Sequence, residues 1–227
     1  MPVITISRQF GAAGVPVGRI LAERFGAEFL DRTIVAEAAL RAGIPESDLE
    51  GYDERLPSLW QRVASALASS SPEPPLPSSS YADQLAPLSV HERLLEVTRH
   101  VIEAAAARGN AVILGRGGVF ILGKKPATFH IKLHASLEAR VRYLLARVET
   151  IPAEARPEEK ALRELCESID AARAEYVRRV FGADWLDVTH YDLAVDTGRL
   201  GVDGTADLIE RSVRAAMDPD SAGEGGR

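Results

Sequence analysis

The sequence predicts an α/β fold in which a central parallel sheet is covered by helices on both faces. Three observations predict it. Residues 3–7 are a short run rich in β-branched apolar residues, which passes Gly11, Gly14 and Gly18 and enters an apolar segment of helical period, Val17, Ile20, Leu21 and Phe25. Residues 111–118 repeat that grammar, a buried-type strand running into glycines that bracket Arg116. Further strand-like runs at 128–133 and 192–195 alternate with helical stretches, and strands that alternate with helices form parallel sheets.

The elements follow in order. Pro16 suits the first turn of a helix, where its missing N–H has no intrahelical partner, so the first helix is expected to start near it. Residues 28–30 are a brief apolar run closed by Asp31, which could cap a helix over 33–40 that Gly43 and Pro45 stop. From 46 to 87 the pattern weakens. Trp60 with Leu59, Val63 and Leu67 makes one packing patch, and residues 69–80, SSSPEPPLPSSS, are low-complexity, so a mobile insertion is expected near 69–87. Helical spacing resumes at His91 and runs through Leu94, Leu95, Thr98, Val101, Ile102 and Ala105 to a stop at Gly109 and Asn110. Helices are expected over 136–148, 157–180 and 205–217, and residues 217–227 as a disordered tail. This organisation is a single domain over 1–216.

The bulk properties exclude several classes. A formal charge of −6 over 227 residues argues against a partner that is a nucleic-acid polymer, because such binding draws on excess Lys and Arg. The lone Cys166 has no disulfide partner and no His and Cys grouping has zinc spacing, so no structural metal is expected. The first seven residues lack a basic segment followed by a long apolar core, and no run of about 18 apolar residues occurs. A cytoplasmic protein with no membrane partner is expected.

A glycine-bearing turn that opens a helix gathers unpaired N–H groups at the positive end of the helix dipole, a place suited to phosphate. Here the turn lacks the lysine and hydroxyl of a full P-loop, since Ala12, Ala13, Gly14, Val15, Pro16 and Val17 follow Gly11. A plain structural connection reads the same way. Arginine is the informative residue type, because its planar fork binds phosphate oxygens in pairs at any physiological pH. Arg8, Asp31, Arg116 and Asp196 lie at or just past strand ends, where ligands gather in parallel sheets. Arg140, Arg142 and Arg147 also fit a solvated helix face, and Asp170 with Arg173 also fits a surface ion pair at i and i+3.

Four blocks in order, ITISRQFGAAG, LDR at 30–32, ILGRGG at 113–118 and FGADWLDVTHYDLAVDT at 181–197, resemble the cytidylate kinase-like family. HASLEARVR at 134–142 resembles the strand-to-lid-helix segment of those kinases. The resemblance implies a three-layer P-loop kinase-like fold with a helical lid, and transfer of the ATP γ-phosphoryl group to a nucleoside monophosphate, CMP or dCMP by default, with Mg2+ carried on ATP. It implies a phosphate cradle from Gly11 to Gly18, including Ala12, Ala13 and Gly14, and an acceptor phosphate on Arg116. Asp31 falls in the acceptor region, Arg140 and Arg142 at the lid, and Asp170 with Arg173 at an acceptor contact. Gly14 and Pro16 stand where those kinases carry the lysine and the hydroxyl, and Gly117 stands where they carry an Asp. Arg8 and Arg19 are the nearest cations to replace the lysine. Two other readings remain open: a weak or inactive nucleotide-binding module on the same fold, and an interaction protein that recruits through the Pro/Ser segment.

Overall fold

Val3, Ile4, Thr5 and Ile6 are each at most 2% exposed, the mark of a strand covered on both faces. They belong to β1 (Val3–Arg8), the middle strand of a five-stranded sheet. The computed structural model describes residues 2–31, 88–148 and 156–218, together with Ala38 and Leu40. The Trp60 patch, the insertion expected near 69–87 and residues 219–227 lie outside the described residues, and of the helix expected over 33–40 only Ala38 and Leu40, both helical, lie inside.

The remaining strands are β2 (Glu28–Leu30), β3 (Ala111–Leu114), β4 (Thr128–His134) and β5 (Leu193–Asp196). All pairings are parallel, in the order β2-β3-β1-β4-β5. Register sets Ile6 beside Leu114 and Ile131, and Ser7 and Arg8 beside Lys132 and Leu133, so the three central strands end near one another at one edge. The candidate site sits on that carboxyl edge.

Alternation divides the strand residues between two faces. Ile4, Ile6, Ile131 and Leu133 pack under α1 (Gly14–Phe25) and α6 (Thr197–Met217), through Val17, Leu21, Ile209 and Val213. Val3 and Ile113 face α2 (Leu88–Arg108) and α3 (Gly118–Leu122), through Ile102, Ala105, Ile121 and Leu122. A third cluster joins α4 (Leu137–Val148) to α5 (Glu159–Phe181) through Val141, Leu144, Leu162, Leu165 and Ile169, with Phe10 of the first loop inserted into it. The helical pair is thus seated on the loop that follows β1.

Two boundaries differ from expectation and two short elements are additional, each for a local reason. Helix α1 begins at Gly14, two residues before Pro16, because Ala13 adopts the left-handed conformation and turns the chain there. Helix α6 begins at Thr197 rather than 205, because the Asp196 carboxylate accepts the Gly198 N–H at 2.9 Å; Gly201 then kinks it. Helix α3 and a 3-10 turn at Val188–His190 were unexpected, five and three residues being too few for a helical period to show.

Candidate active site

The loop from Arg8 to Gly14 is held from three sides. Gln9 N–H donates to the Leu133 carbonyl at 3.0 Å and Gln9 Oε1 accepts the Ala135 N–H at 3.1 Å, tying the loop to β4. Phe10 N–H donates to Asp170 Oδ1 at 2.8 Å and its carbonyl accepts from Arg140 at 3.1 Å. Arg140 also donates to Asp170 Oδ2 at 2.7 Å, while Arg173 donates to the Arg8 carbonyl at 2.8 Å and lies 3.6 Å from Asp170 Oδ1. Arg140, Asp170 and Arg173 therefore form a buried brace that fixes both ends of the peptide segment Arg8–Phe10. Burial raises the Asp170 carboxyl, against the Phe10 N–H and the nearby cations.

Arg8 occupies the space between two glycines. A Cβ at Gly14 would lie 2.8 Å from Arg8 Cγ, so the Arg8 stem fills the volume where a side chain at 14 would begin. Its guanidinium reaches the second glycine turn, where a Cβ on Gly115 would land on Arg8 Nη1. Gly115, Arg116 and Gly117 all have positive φ (75°, 55° and 68°), a turn pinned by the Gly115 N–H on the Ile6 carbonyl at 2.9 Å. Burial first, then the like charges of Arg173 and Arg116, hold Arg8 well below its ordinary pKa, and Asp31 acts in the other direction. Burial likewise brings Arg173 down to about 10. Cations pressed together in this way are relieved by an incoming anion.

Gly115→Ala is expected to lose roughly 1–2 kcal/mol from the left-handed backbone alone and, by displacing Arg8, to weaken binding of Mg-ATP. Chemical denaturation and a binding titration of the same variant check both parts.

An open groove runs over this loop, lined by Arg8, Gln9, Gly11, Gly14, Tyr143 and Arg147. Arg147 donates to the Tyr143 hydroxyl at 2.9 Å and lies 5.2 Å from the centre of its ring. Tyr143 was not singled out by the sequence; its i,i+4 spacing to Arg147 on α4 was the available signal.

On the other face of the sheet stands Lys132, which the sequence reading also missed. It is 5% exposed, donates to the Trp185 carbonyl at 3.1 Å, and lies 3.2 Å from the centre of the Trp185 ring. Burial brings its ammonium down to about 7. The folded state therefore binds fewer protons than the unfolded chain between pH 7 and the ordinary lysine range, so stability rises with pH in that window. Because burial lifts the Cys166 thiol to about 11 and opposes this above pH 9, the clean window is pH 7–9. A slope of up to about 1.4 kcal/mol per pH unit is expected there, and Lys132→Met is expected to flatten it in denaturation curves.

The predicted residues separate into groups. Arg8, Arg116 and Arg173 converge with Asp31, which is 8% exposed, at the carboxyl edge. Arg140 and Asp170 turn inward to the loop backbone, a bracing position rather than one at a free lid surface, whereas Arg142 is exposed on α4. Ala12 N–H is already spent on the Gln9 carbonyl at 3.2 Å, and a Cβ at Gly11 would lie 3.0 Å from Arg140 Cβ, so α4 packs directly on that glycine. Gly18 lies outside the loop: a Cβ there would meet the Phe29 ring at 2.7 Å, so it serves the contact between α1 and β2. Arg19 lies over Phe29 at 5.7 Å, which leaves Arg8 as the cation on the loop. Gly117, where an Asp was expected by resemblance, is covered by Phe181, whose ring would meet a Cβ at 2.5 Å.

A glycine-bearing loop at the end of the central parallel strand, opening a helix and ringed by arginines, defines a P-loop kinase-like fold with an altered loop. The family model of the cytidylate kinase-like family matches residues 3–199, and the chain belongs to that family. A cytidylate kinase from Halobacterium salinarum is 29% identical over 120 residues, 53% of this chain and 58% of that protein, so the match spans little more than half of the relative. Among solved structures, an uncharacterized protein from Eubacterium ventriosum superposes with a TM-score of 0.62 at 18% identity, covering 94% of this chain and 99% of the other. A shikimate kinase from Bacteroides thetaiotaomicron gives 0.50 at 12% identity, covering 94% and 98%. At these identities the likenesses concern the fold.

Proposed function

We propose that this protein is a phosphotransferase that moves the γ-phosphoryl group of ATP to a nucleoside monophosphate, with CMP or dCMP as the first acceptors to test, and that it works in the cytoplasm. The carrying observation is Arg8, whose stem fills the space that a P-loop lysine at position 14 would use and whose guanidinium spans from that loop to the turn of Arg116.

Phosphoryl transfer asks a protein for little covalent chemistry and much positioned positive charge. The uncapped start of α1, with Gly14 in its first turn, would hold the donor phosphates through backbone N–H groups, and Arg8 would take the lysine's place beside them. Tyr143 and Arg147 would flank the donor nucleotide in the groove, with Arg142 exposed on the same helix. Arg116 would hold the acceptor phosphate, with Asp31 in the acceptor region and Arg173 between the two phosphates. Magnesium would enter on ATP and neutralise the charge of its phosphates. Arg140 and Asp170 keep the loop rigid, so that charge is in place before the transition state forms. No helix among the described residues is long and apolar enough to cross a membrane.

The test is ADP release from Mg-ATP with CMP, dCMP, UMP, AMP, GMP and shikimate as acceptors, beside an Arg116→Ala control. Acceptor-dependent ADP that the control abolishes is the expected result. Silence across the panel while ATP still raises the melting temperature would instead favour a nucleotide-binding module, the reading that the altered loop also supports.

A further inference from the structure

Behind the arginines, on the face of the sheet away from α1, β4 carries a lysine with an unusual set of partners. Lys132 Nζ meets the Trp185 carbonyl at 3.1 Å, the Trp185 ring at 3.2 Å and the Tyr191 ring at 5.4 Å. No carboxylate among the described residues is within ion-pairing distance of it. The enclosure is itself tied to the strand that enters the first loop: Trp185 Nε1 donates to Ser7 Oγ at 2.8 Å, and Ser7 pairs with Lys132 in register. The Tyr191 hydroxyl lies 3.0 Å from the Trp185 carbonyl and 3.3 Å from Ser7 Oγ. Lys132 is therefore one residue, across one strand, from Arg8.

The charged groups that act on it come from each neighbouring element. Asp170 on α5 and Asp184 before Trp185 favour its charge, and Arg173 on α5 and Arg8 on β1 oppose it. Asp170 is already shared between the Phe10 N–H, Arg140 and Arg173. Two cations thus stand against two anions around this corner, and one of those anions is already engaged. An anion placed beside Arg8 and Arg173 tips that balance toward the charged amine.

We propose that Lys132 is a positioning residue that takes up a proton when a polyphosphate enters beside Arg8 and Arg173, so that phosphate capture and charging of this amine are one coupled event. The inference rests on the phosphate site proposed above. In the free protein burial leaves the amine poised near neutrality. In the complex the ammonium stands behind the cradle, holds the Trp185 carbonyl, and through Trp185 and Ser7 steadies the strand end that carries Arg8.

The chain has four lysines, Lys124, Lys125, Lys132 and Lys160, and all but Lys132 are exposed. NMR of protein labelled with carbon-13 at lysine Cε resolves them, and Lys132→Arg identifies the missing signal. The expected result is a Lys132 midpoint roughly three to four pH units below the ordinary lysine value, raised by at least about one pH unit in saturating tripolyphosphate. By linkage, raising the pH from 6.5 to 8.5 is expected to weaken tripolyphosphate binding roughly tenfold more in the wild type than in Lys132→Arg, whose charge does not titrate. Lys132 titrating with the exposed lysines would overturn the inference. So would an unmoved midpoint in protein that demonstrably binds tripolyphosphate, and that result would leave the phosphate site standing. No binding of tripolyphosphate or Mg-ATP by wild type at any pH would remove the phosphate site and the coupling together.

Discussion

Arg8→Ala is expected to lower turnover with Mg-ATP by on the order of 10²–10³-fold, the usual cost of removing one positioned donor that stabilises developing charge. The loop has no lysine, and Arg8 is the cation whose stem occupies the lysine's space. Under the proposed function its removal would leave only Arg116 and Arg173 to carry the phosphates. Arg8→Lys restores the charge without the planar fork, and is expected to recover part of the loss. Gly14→Lys in the wild-type background is expected to fail as a rescue, because its Cβ would stand 2.8 Å from Arg8 Cγ. The same substitution combined with Arg8→Gly would rebuild the ordinary loop, and is expected to recover more activity than either change alone. Steady-state kinetics on these variants, with melting temperatures as a folding control, read out the series.

Asp170→Ala is expected to destabilise the fold by about 3–5 kcal/mol, the cost of leaving buried charges without their partner. Asp170 accepts from the Phe10 N–H and from Arg140, and lies 3.6 Å from Arg173; the side chains of Arg140 and Arg173 are 7% and 9% exposed. Removing the carboxylate leaves two guanidiniums facing each other and an N–H without an acceptor. Asp170→Asn keeps an acceptor for Phe10, loses the charge, and is expected to fall between the two. Urea denaturation gives the values, and a cycle with Arg140→Met separates the pair from the loop contact.

Much of the fold is legible in the sequence because its local and global signals agree. β1 and β3 announce themselves by β-branched runs that end in glycine, and α5 by a period sustained over 23 residues. The short α3 is invisible to periodicity, and the start of α6 depends on a capping aspartate that reads equally well as a strand-end ligand. The site is legible in part. Arg8, Arg116 and Arg173 stand out as arginines at strand ends or in a matching block, but the roles of Arg140 and Asp170 depend on a loop 130 and 160 residues away along the chain. No local pattern reports such a contact. Lys132 sits inside an apolar run that reads simply as a strand, and only Trp185, 53 residues later, makes it a buried cation.

Arg8 also joins the two glycine turns. A single side chain touches both, so under the proposed function the donor and acceptor regions would share one charge rather than each holding its own. Binding on one side is then expected to be felt on the other through Arg8.

The most direct measurement follows a radiolabelled γ-phosphoryl group from ATP in a single turnover, with wild type and Arg8→Ala mixed with CMP or dCMP. Label appearing in the nucleoside diphosphate with wild type, and slowed on the order of a hundredfold or more by Arg8→Ala, is the predicted result. Transfer that proceeds equally well without Arg8, or label released only as inorganic phosphate, would contradict the account.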